Sequence, residues 1–272
     1  MPIYPLRQLE PAAESVALYD RWLGELQEAL ERGDDRWELC RNTLTGLYYP
    51  GLSGADPRHL PLAAQVGLAQ MDARNVTLEP EYYAEVDVEQ FMARKPLLWM
   101  WQMFDKSPLG GNVHLGVRFR RVLAPHILKR VGKNFKCFHF VEFSFGYNLE
   151  VGDDVVVHRN VLLDDRGGIV LGDRVSISDY ANIYSHTHSI VDQRDVSDLP
   201  TIIGDGVRIT YHATVLAGTT VGENAMVGAM ALATRDVRPW HVNVGIPAKS
   251  VRVKPNAPPE AYNLILRREG DG

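Results

Sequence analysis

From Val131 onward the chain places an aliphatic residue at every sixth position. Ile203, Ile209, Val215, Val221, Val227 and then Ala233 form one unbroken register; Leu171, Ile177 and Ile183 form an earlier one, and Val151, Val157 and Leu163 a third. A helix repeats about every 3.6 residues and a half-buried strand every two, so neither produces this spacing. A chain wound round a triangular prism does, with about six residues per flat and about eighteen per coil. One aliphatic side chain per flat then points inward, and stacked coils align these into apolar columns. Glycine follows the aliphatic residue in Val131-Gly132, Val151-Gly152, Leu171-Gly172, Ile203-Gly204, Val221-Gly222 and Val227-Gly228, and turns rich in Gly, Asp and Asn suit tight corners. A β-sandwich carries no fixed spacing across its turns. The pattern therefore predicts a mainly β protein, a parallel β-helix of hexapeptide repeats with about five coils.

The N-terminal third has another rhythm. Val16, Leu18, Leu23, Leu26 and Leu30 recur at mostly helical intervals within 9–32, and Gly33 ends the pattern, which predicts an amphipathic helix. The stretch 42–54 reads as turn-rich and aromatic; shorter helical patterns follow at 60–69 and 86–103, broken by Pro61, Pro80 and Pro96. The expected organisation is a helical N-terminal cap domain (1–110), a connector (111–130), the β-helix (131–238) and a C-terminal tail (239–272) that leaves the prism after Pro239.

Two departures from the repeat stand out. Val151 to Leu171 is twenty residues, which predicts a bulge at Asp164-Asp165-Arg166-Gly167-Gly168. Between Ile183 and Ile203 the segment YSHTHSIVDQRDVSDLPT exceeds what the repeat needs, and a long loop leaving a rigid solenoid is expected to carry function.

Charge and cysteine content narrow the partners. A net charge of -5 and a pI near 6.0 give no basic field for nucleic acid or an anionic membrane, so an anionic ligand needs a local basic cluster. Cys40 and Cys137 lack the paired spacing of a zinc site or disulfide framework, which fits a reducing, cytoplasmic setting. No signal sequence opens the chain, and the most apolar run, 96–104, is far shorter than a bilayer span, so no integral membrane span is expected.

The long loop begins Tyr184-Ser185-His186-Thr187-His188-Ser189-Ile190-Val191-Asp192. It resembles the extruded loop of the galactoside and maltose O-acetyltransferases, where Thr-His-Pro-Ile-Asp or a close variant carries the catalytic histidine. Pro200-Thr201-Ile202-Ile203-Gly204-Asp205 resembles that family's return to the solenoid, and Val244-Gly245-Ile246-Pro247-Ala248-Lys249-Ser250-Val251-Arg252 its closing segment. The resemblance spans about 131–254. It implies a left-handed parallel β-helix and an acyltransferase that uses acetyl-CoA or another acyl-CoA as co-substrate. It also implies a small-molecule acceptor hydroxyl, of a sugar or related compound, and a homotrimer with its CoA cleft between neighbouring prisms.

His188 falls at the family's catalytic position. An alcohol attacking a thioester must lose a proton, and a neutral imidazole takes it near pH 7, which makes His188 the expected general base. The resemblance implies direct transfer without an acyl-enzyme, and neither cysteine lies in the catalytic segment. Coenzyme A carries several phosphate charges; Arg235, Lys249, Arg252 and Lys254, with Thr234, cluster toward the closing segment and are expected at its donor site. Arg208 stands where the family commonly has Trp, and Thr210-Tyr211 replaces a Gly-Ser pair, so Arg208 and Tyr211 are expected to line the donor side as well. Asp164 and Asp165 resemble the family's acceptor-binding acidic pair. The family's acceptor-binding asparagine falls on either His158 or Asn160, because the local spacing shifts by one residue.

Two rival readings remain. His158, His186, His188 and His212 lie on neighbouring coils, and a zinc hydrase of the γ-carbonic-anhydrase type also uses three histidines on a β-helix. Its histidine pair is five apart within one coil, whereas His186 and His188 are two apart on an insertion. A non-catalytic β-helical scaffold is the other, with the aromatic run 97–104 as a docking surface.

Overall fold

The structure is a computed structural model and describes residues 10–266. Residues 1–9 of the expected cap and 267–272 of the expected tail lie outside it.

In the cap, α1 (Ala13–Arg32) buries Leu23, Leu26, Ala29 and Leu30 along one stripe, and Leu18 falls outside that stripe. The helix ends on Gly33 at φ 78, the left-handed conformation that glycine adopts without a side-chain clash. Helix α2 (Arg36–Tyr48) occupies most of the stretch expected to be turn-rich. Asp35 caps it, accepting from Trp37 N at 2.8 Å, and Cys40 and Leu44 are fully buried. Tertiary burial here outweighs the local turn signal.

Helix α3 (Leu62–Ala69) is as expected, whereas α4 (Val88–Lys106) runs straight through Pro96. An internal proline costs about 3 kcal/mol. The flanking Leu97, Leu98, Trp99, Met100 and Trp101 are all buried, at about 1.5–3 kcal/mol for each large apolar side chain, and this keeps the helix continuous. The expected connector is helix α5 (Val113–Ile127), packed on α4 and leading directly into the first strand.

The aromatic run 97–104 docks the cap rather than offering a free surface, which removes that support for a scaffold reading. Trp101 Nε1 donates to Val141 O at 3.2 Å, and its ring meets Phe143 edge-on at 5.3 Å. Beside it, Arg120 and Asp105 form an ion pair that is 1 % and 4 % exposed. Arg120 Nε donates to Asp105 Oδ1 at 2.8 Å, Arg120 Nη1 to Cys137 O at 3.2 Å, and Phe140 N to Asp105 Oδ2 at 2.7 Å. The pair thus ties α4 and α5 to the first coil.

The rest is a parallel β-solenoid of about six turns. Its first face stacks Arg130–Val131, Leu149–Val151, Ile169–Leu171, Thr201–Ile203 and Thr220–Val221. The second stacks Lys136–Cys137, Val156–Val157, Ser176–Ile177, Arg208–Ile209, Met226–Val227 and His241–Val244. The third stacks Glu142–Phe143, Leu162–Asp164, Asn182–Tyr184, Thr214–Val215 and Leu232–Ala233. His241–Val244 continues the second face past Pro239, so the tail does not leave the prism there; Lys249–Val253 then folds back antiparallel on it, ahead of α6 (Pro259–Leu266).

Every aliphatic residue of the three predicted registers is buried, and each strand contributes a second inward residue two positions earlier, such as Val155, Val175, Val207 and Ala225. Alternation along a strand explains the pairing, because two residues of each six face the core. The glycine after the aliphatic residue marks close approach of successive coils: a Cβ on Gly152 would lie 2.6 Å from the Gly172 carbonyl carbon.

Extra length collects at the corner between the third and first faces. Asp165, fully buried there, accepts from Phe145 N at 2.8 Å and Asn148 N at 3.2 Å, tying down the widened corner. Burial, opposed by these N–H donors and reinforced by the Asp164 charge, pushes its carboxyl up to about 6.

Two stability predictions follow from these buried charges. Arg120→Ala leaves Asp105 buried without its cation and is expected to cost about 3–5 kcal/mol in denaturant unfolding, with much of it regained in Arg120→Met/Asp105→Leu. Asp165 binds its proton more tightly folded than unfolded. Its stabilising contribution is therefore complete below about pH 4 and lost as pH rises through about 6, by about 3 kcal/mol. Unfolding free energies measured across that window are expected to fall with pH, with a flatter slope in Asp165→Asn.

Candidate active site

At the same corner, after Tyr184, the chain leaves the prism as a hairpin. His186–His188 pairs antiparallel with Val196–Asp198, and His188 stands opposite Val196. The base of the hairpin is fastened to the coil below. Buried Ser185 donates from Oγ to Asp164 O at 2.6 Å and accepts from Gly167 N at 2.9 Å. Leu199 N donates to Ser185 O at 2.8 Å, and Thr201 Oγ1 to Tyr184 O at 2.7 Å. Gly167 is required by this crossing, since a Cβ there would sit 2.1 Å from Ser185 O. Ile190 and Val191 stand almost wholly exposed at the tip.

His188 is exposed, with Nδ1 2.5 Å from Gln193 O. A carbonyl only accepts, so Nδ1 carries the proton and Nε2 keeps its lone pair. His186 lies edge-on to it, with ring centroids 5.1 Å apart. Arg166 Nη1 is 3.0 Å from His186 Nε2, and a guanidinium only donates, so Nε2 is the acceptor and Nδ1 carries the proton. That Nδ1 touches Asp164 Oδ2, and neither atom has another hydrogen-bond partner. Asp164 Oδ1 accepts from Ser144 Oγ at 2.9 Å. Arg166 is held from the cap side, by Glu85 Oε1 at 2.5 Å from Nε and by the face of Tyr83 at 4.0 Å.

Two cavities of about 390 Å³ each meet at this point. One lies between cap and third face, lined by Glu79, Tyr83, Glu142, Ser144, Asp164 and His186 among others. The other holds His188 with Leu216, Ala217 and Thr234. Tyr184 and His186 line both, so one cleft runs from the cap wall past His186 to His188.

The structure brings Asp164 and Thr234 into this cleft with His188, and Arg235 is exposed beside Thr234 on the same corner. Asp165 does not face the cleft; both its oxygens serve the corner backbone. His158 and Asn160 lie at a different corner, between the second and third faces, where His158 stacks on Phe138 at 5.0 Å and Asn160 takes a left-handed φ of 55. His212 stacks on Tyr180 at that corner, so the four histidines of the zinc reading divide between two edges of the prism. Among the described residues no cluster of three or more metal-ligating side chains occurs.

Arg208, Lys249 and Arg252 are exposed on the second face, across the prism from the His188 corner, and Tyr211 is exposed at the second corner. Partly buried Lys254 is held below the usual lysine range by desolvation and by the Arg208 charge. Sequence reading missed Glu79, Tyr83, Glu85, Ser144 and Arg166. For Arg166 the bulge at 164–168 was the available signal; the cap residues carry none, because their proximity comes from docking alone.

No family model matches the chain. It is 28% identical over 140 residues to the galactoside O-acetyltransferase of Escherichia coli, covering 50% of this chain and 69% of that one. A putative acetyltransferase of Staphylococcus aureus is 34% identical over 125 residues, and one of Schizosaccharomyces pombe 32% over 114; the matches cover 44% and 40% of this chain and 63% and 55% of theirs, less than two thirds. Among solved structures, a maltose O-acetyltransferase of Clostridium difficile superposes with a TM-score of 0.55 at 26% identity, over 64% of this chain and 91% of that one. A galactoside acetyltransferase in complex with coenzyme A gives 0.55 at 25% identity, over 62% and 84%. Among the described residues no helix is long and apolar enough to cross a membrane. The six-residue repeat, the hairpin at its widened corner and these relatives together fit a hexapeptide-repeat acetyltransferase fold, similar to that of the galactoside and maltose O-acetyltransferases.

Proposed function

We propose that this protein moves an acetyl or other acyl group from acyl-CoA to a hydroxyl of a sugar or related small molecule, with His188 as general base. The observation that carries the reading is the 2.5 Å contact of His188 Nδ1 with Gln193 O on a ring that lines the cleft: a carbonyl only accepts, which assigns the proton to Nδ1 and the lone pair to Nε2. In the reaction Nε2 takes the hydroxyl proton as the oxygen bonds to the thioester carbonyl carbon. The carbon–sulfur bond then breaks, and the proton passes from Nε2 to the departing thiolate. Gln193 O, accepting from Nδ1–H, supports the imidazolium formed in between.

The acceptor enters from the cap side. Among the described residues that cavity is lined by Glu79, Glu142 and Asp164 and by no lysine or arginine, which suits an uncharged or amine-bearing acceptor better than a phosphorylated one. On the donor side, Thr234 and Arg235 stand near His188, whereas Arg208, Lys249 and Arg252 sit across the prism. The reading therefore includes a trimer in which a neighbouring copy would supply those cations to the cleft, with acyl-CoA as co-substrate and the cytoplasm as the setting.

His188→Ala is expected to lower thiol release from acetyl-CoA by about two to four orders of magnitude without changing the thermal midpoint; retained turnover rejects the assignment. Shared sites predict that mixed assemblies of His188→Ala with an Arg208→Ala/Lys249→Ala/Arg252→Ala variant regain activity that neither has alone. An active monomer in sedimentation excludes that arrangement.

A further inference from the structure

The proposed reaction uses one histidine of the hairpin, yet the second is held by more polar contacts than the first. His186 is engaged at both nitrogens, by Asp164 and by Arg166, and Arg166 is itself gripped by Glu85 and Tyr83 of the cap. Arg166 is only 7 % exposed and Asp164 3 %. A buried guanidinium with these partners has few alternative positions, so a short chain of contacts runs from the 3-10 turn Glu79–Tyr82 and its sequel, through Arg166, to the ring that abuts His188.

We propose that Arg166 and His186 are positioning residues through which the helical cap sets the orientation of His188 in the cleft. The proposal rests on His188 being the base. Two physical consequences give it content. Arg166 occupies the Nε2 lone pair of His186, so this ring neither competes for the acceptor proton nor places a like charge against the imidazolium that forms at His188. His186 also backs one side of the His188 ring, while the Gln193 carbonyl fixes the other end, so the ring is restrained from both the solenoid and the hairpin tip. A misplacement of about 1 Å in a reacting group costs on the order of a hundredfold in rate, so the restraint matters to catalysis and not to donor binding.

The other groups facing this network are themselves paired. Ser144 holds the remaining oxygen of Asp164. The Lys95 ammonium is paired with Glu81 at 2.6 Å and does not compete for Glu85. Glu79 accepts from Tyr83 OH at 2.5 Å, which fixes the ring over which Arg166 lies.

The test compares Arg166→Met and Glu85→Gln with the intact protein in steady-state thiol release from acetyl-CoA, using one acceptor that the intact protein turns over. Imidazole ¹⁵N spectra of histidine-labelled protein are recorded alongside. Arg166→Met is expected to lower kcat by about 10- to 100-fold with KM for acetyl-CoA within about threefold, and to turn the single fixed tautomer of His186 into a mixture. Glu85→Gln, which lies in the cap and leaves the solenoid untouched, is expected to move both readouts in the same direction by a smaller factor; it carries the test alone if Arg166→Met does not fold. Unchanged kcat with an unchanged His186 spectrum, or a loss expressed in KM for acetyl-CoA, overturns the proposal. The base assignment fails by a different result, namely thiol release that persists in His188→Ala.

Discussion

The backbone bonds between successive coils hold everything else in place. Each strand of the inner coils pairs in parallel with the strand one coil above and one coil below, so a side chain at a given position is stacked over its counterpart. Parallel pairing of this sort fixes the rotation of every coil relative to its neighbours, and the hairpin inherits that rotation because Ser185 and Gly167 bind across two coils at its root. His188 is therefore placed by a rigid stack although it stands on an exposed loop. The root is packed while the tip, with Ile190 and Val191, is exposed.

Much of this was legible in the residues. The six-residue period named one inward side chain per flat, and the second, two positions earlier, follows from strand alternation. The bulge at 164–168 and the excess between Ile183 and Ile203 located the corner of the candidate site, because residues beyond the period collect at a corner. Less legible was whatever depends on which edge a residue reaches. Asp165 reads like Asp164 in sequence but is turned under the corner, and His158 and Asn160 share a coil with Asp164 yet occupy another edge. Helix α2 and the continuity of α4 through Pro96 were hidden because burial of Cys40, Leu44 and the run after Pro96 decides them, and local signals do not report burial.

The cap contributes to the site by contact alone. Its aromatic helices and the Arg120–Asp105 pair fix it to the first coil, and this brings the segment 79–87 over the third face, where it walls the cleft and grips Arg166. Nothing in the order of residues joins Glu85 to His186, a hundred positions later; the docking does. Damage to the buried pair is thus expected to reach chemistry that lies coils away from it.

From Phe143 to Val151 and from Leu163 to Leu171 the inward register advances by eight residues, from Ile183 to Ile203 by twenty, and from Val215 to Val221 by six. All of that variation falls on one edge, while the other two keep an invariant step. A solenoid of this kind is therefore like a spine with a single editable margin: segments can be lengthened, shortened or exchanged along that edge without altering the register of a neighbouring coil. New acceptor pockets can arise there while the load borne by the stack stays the same.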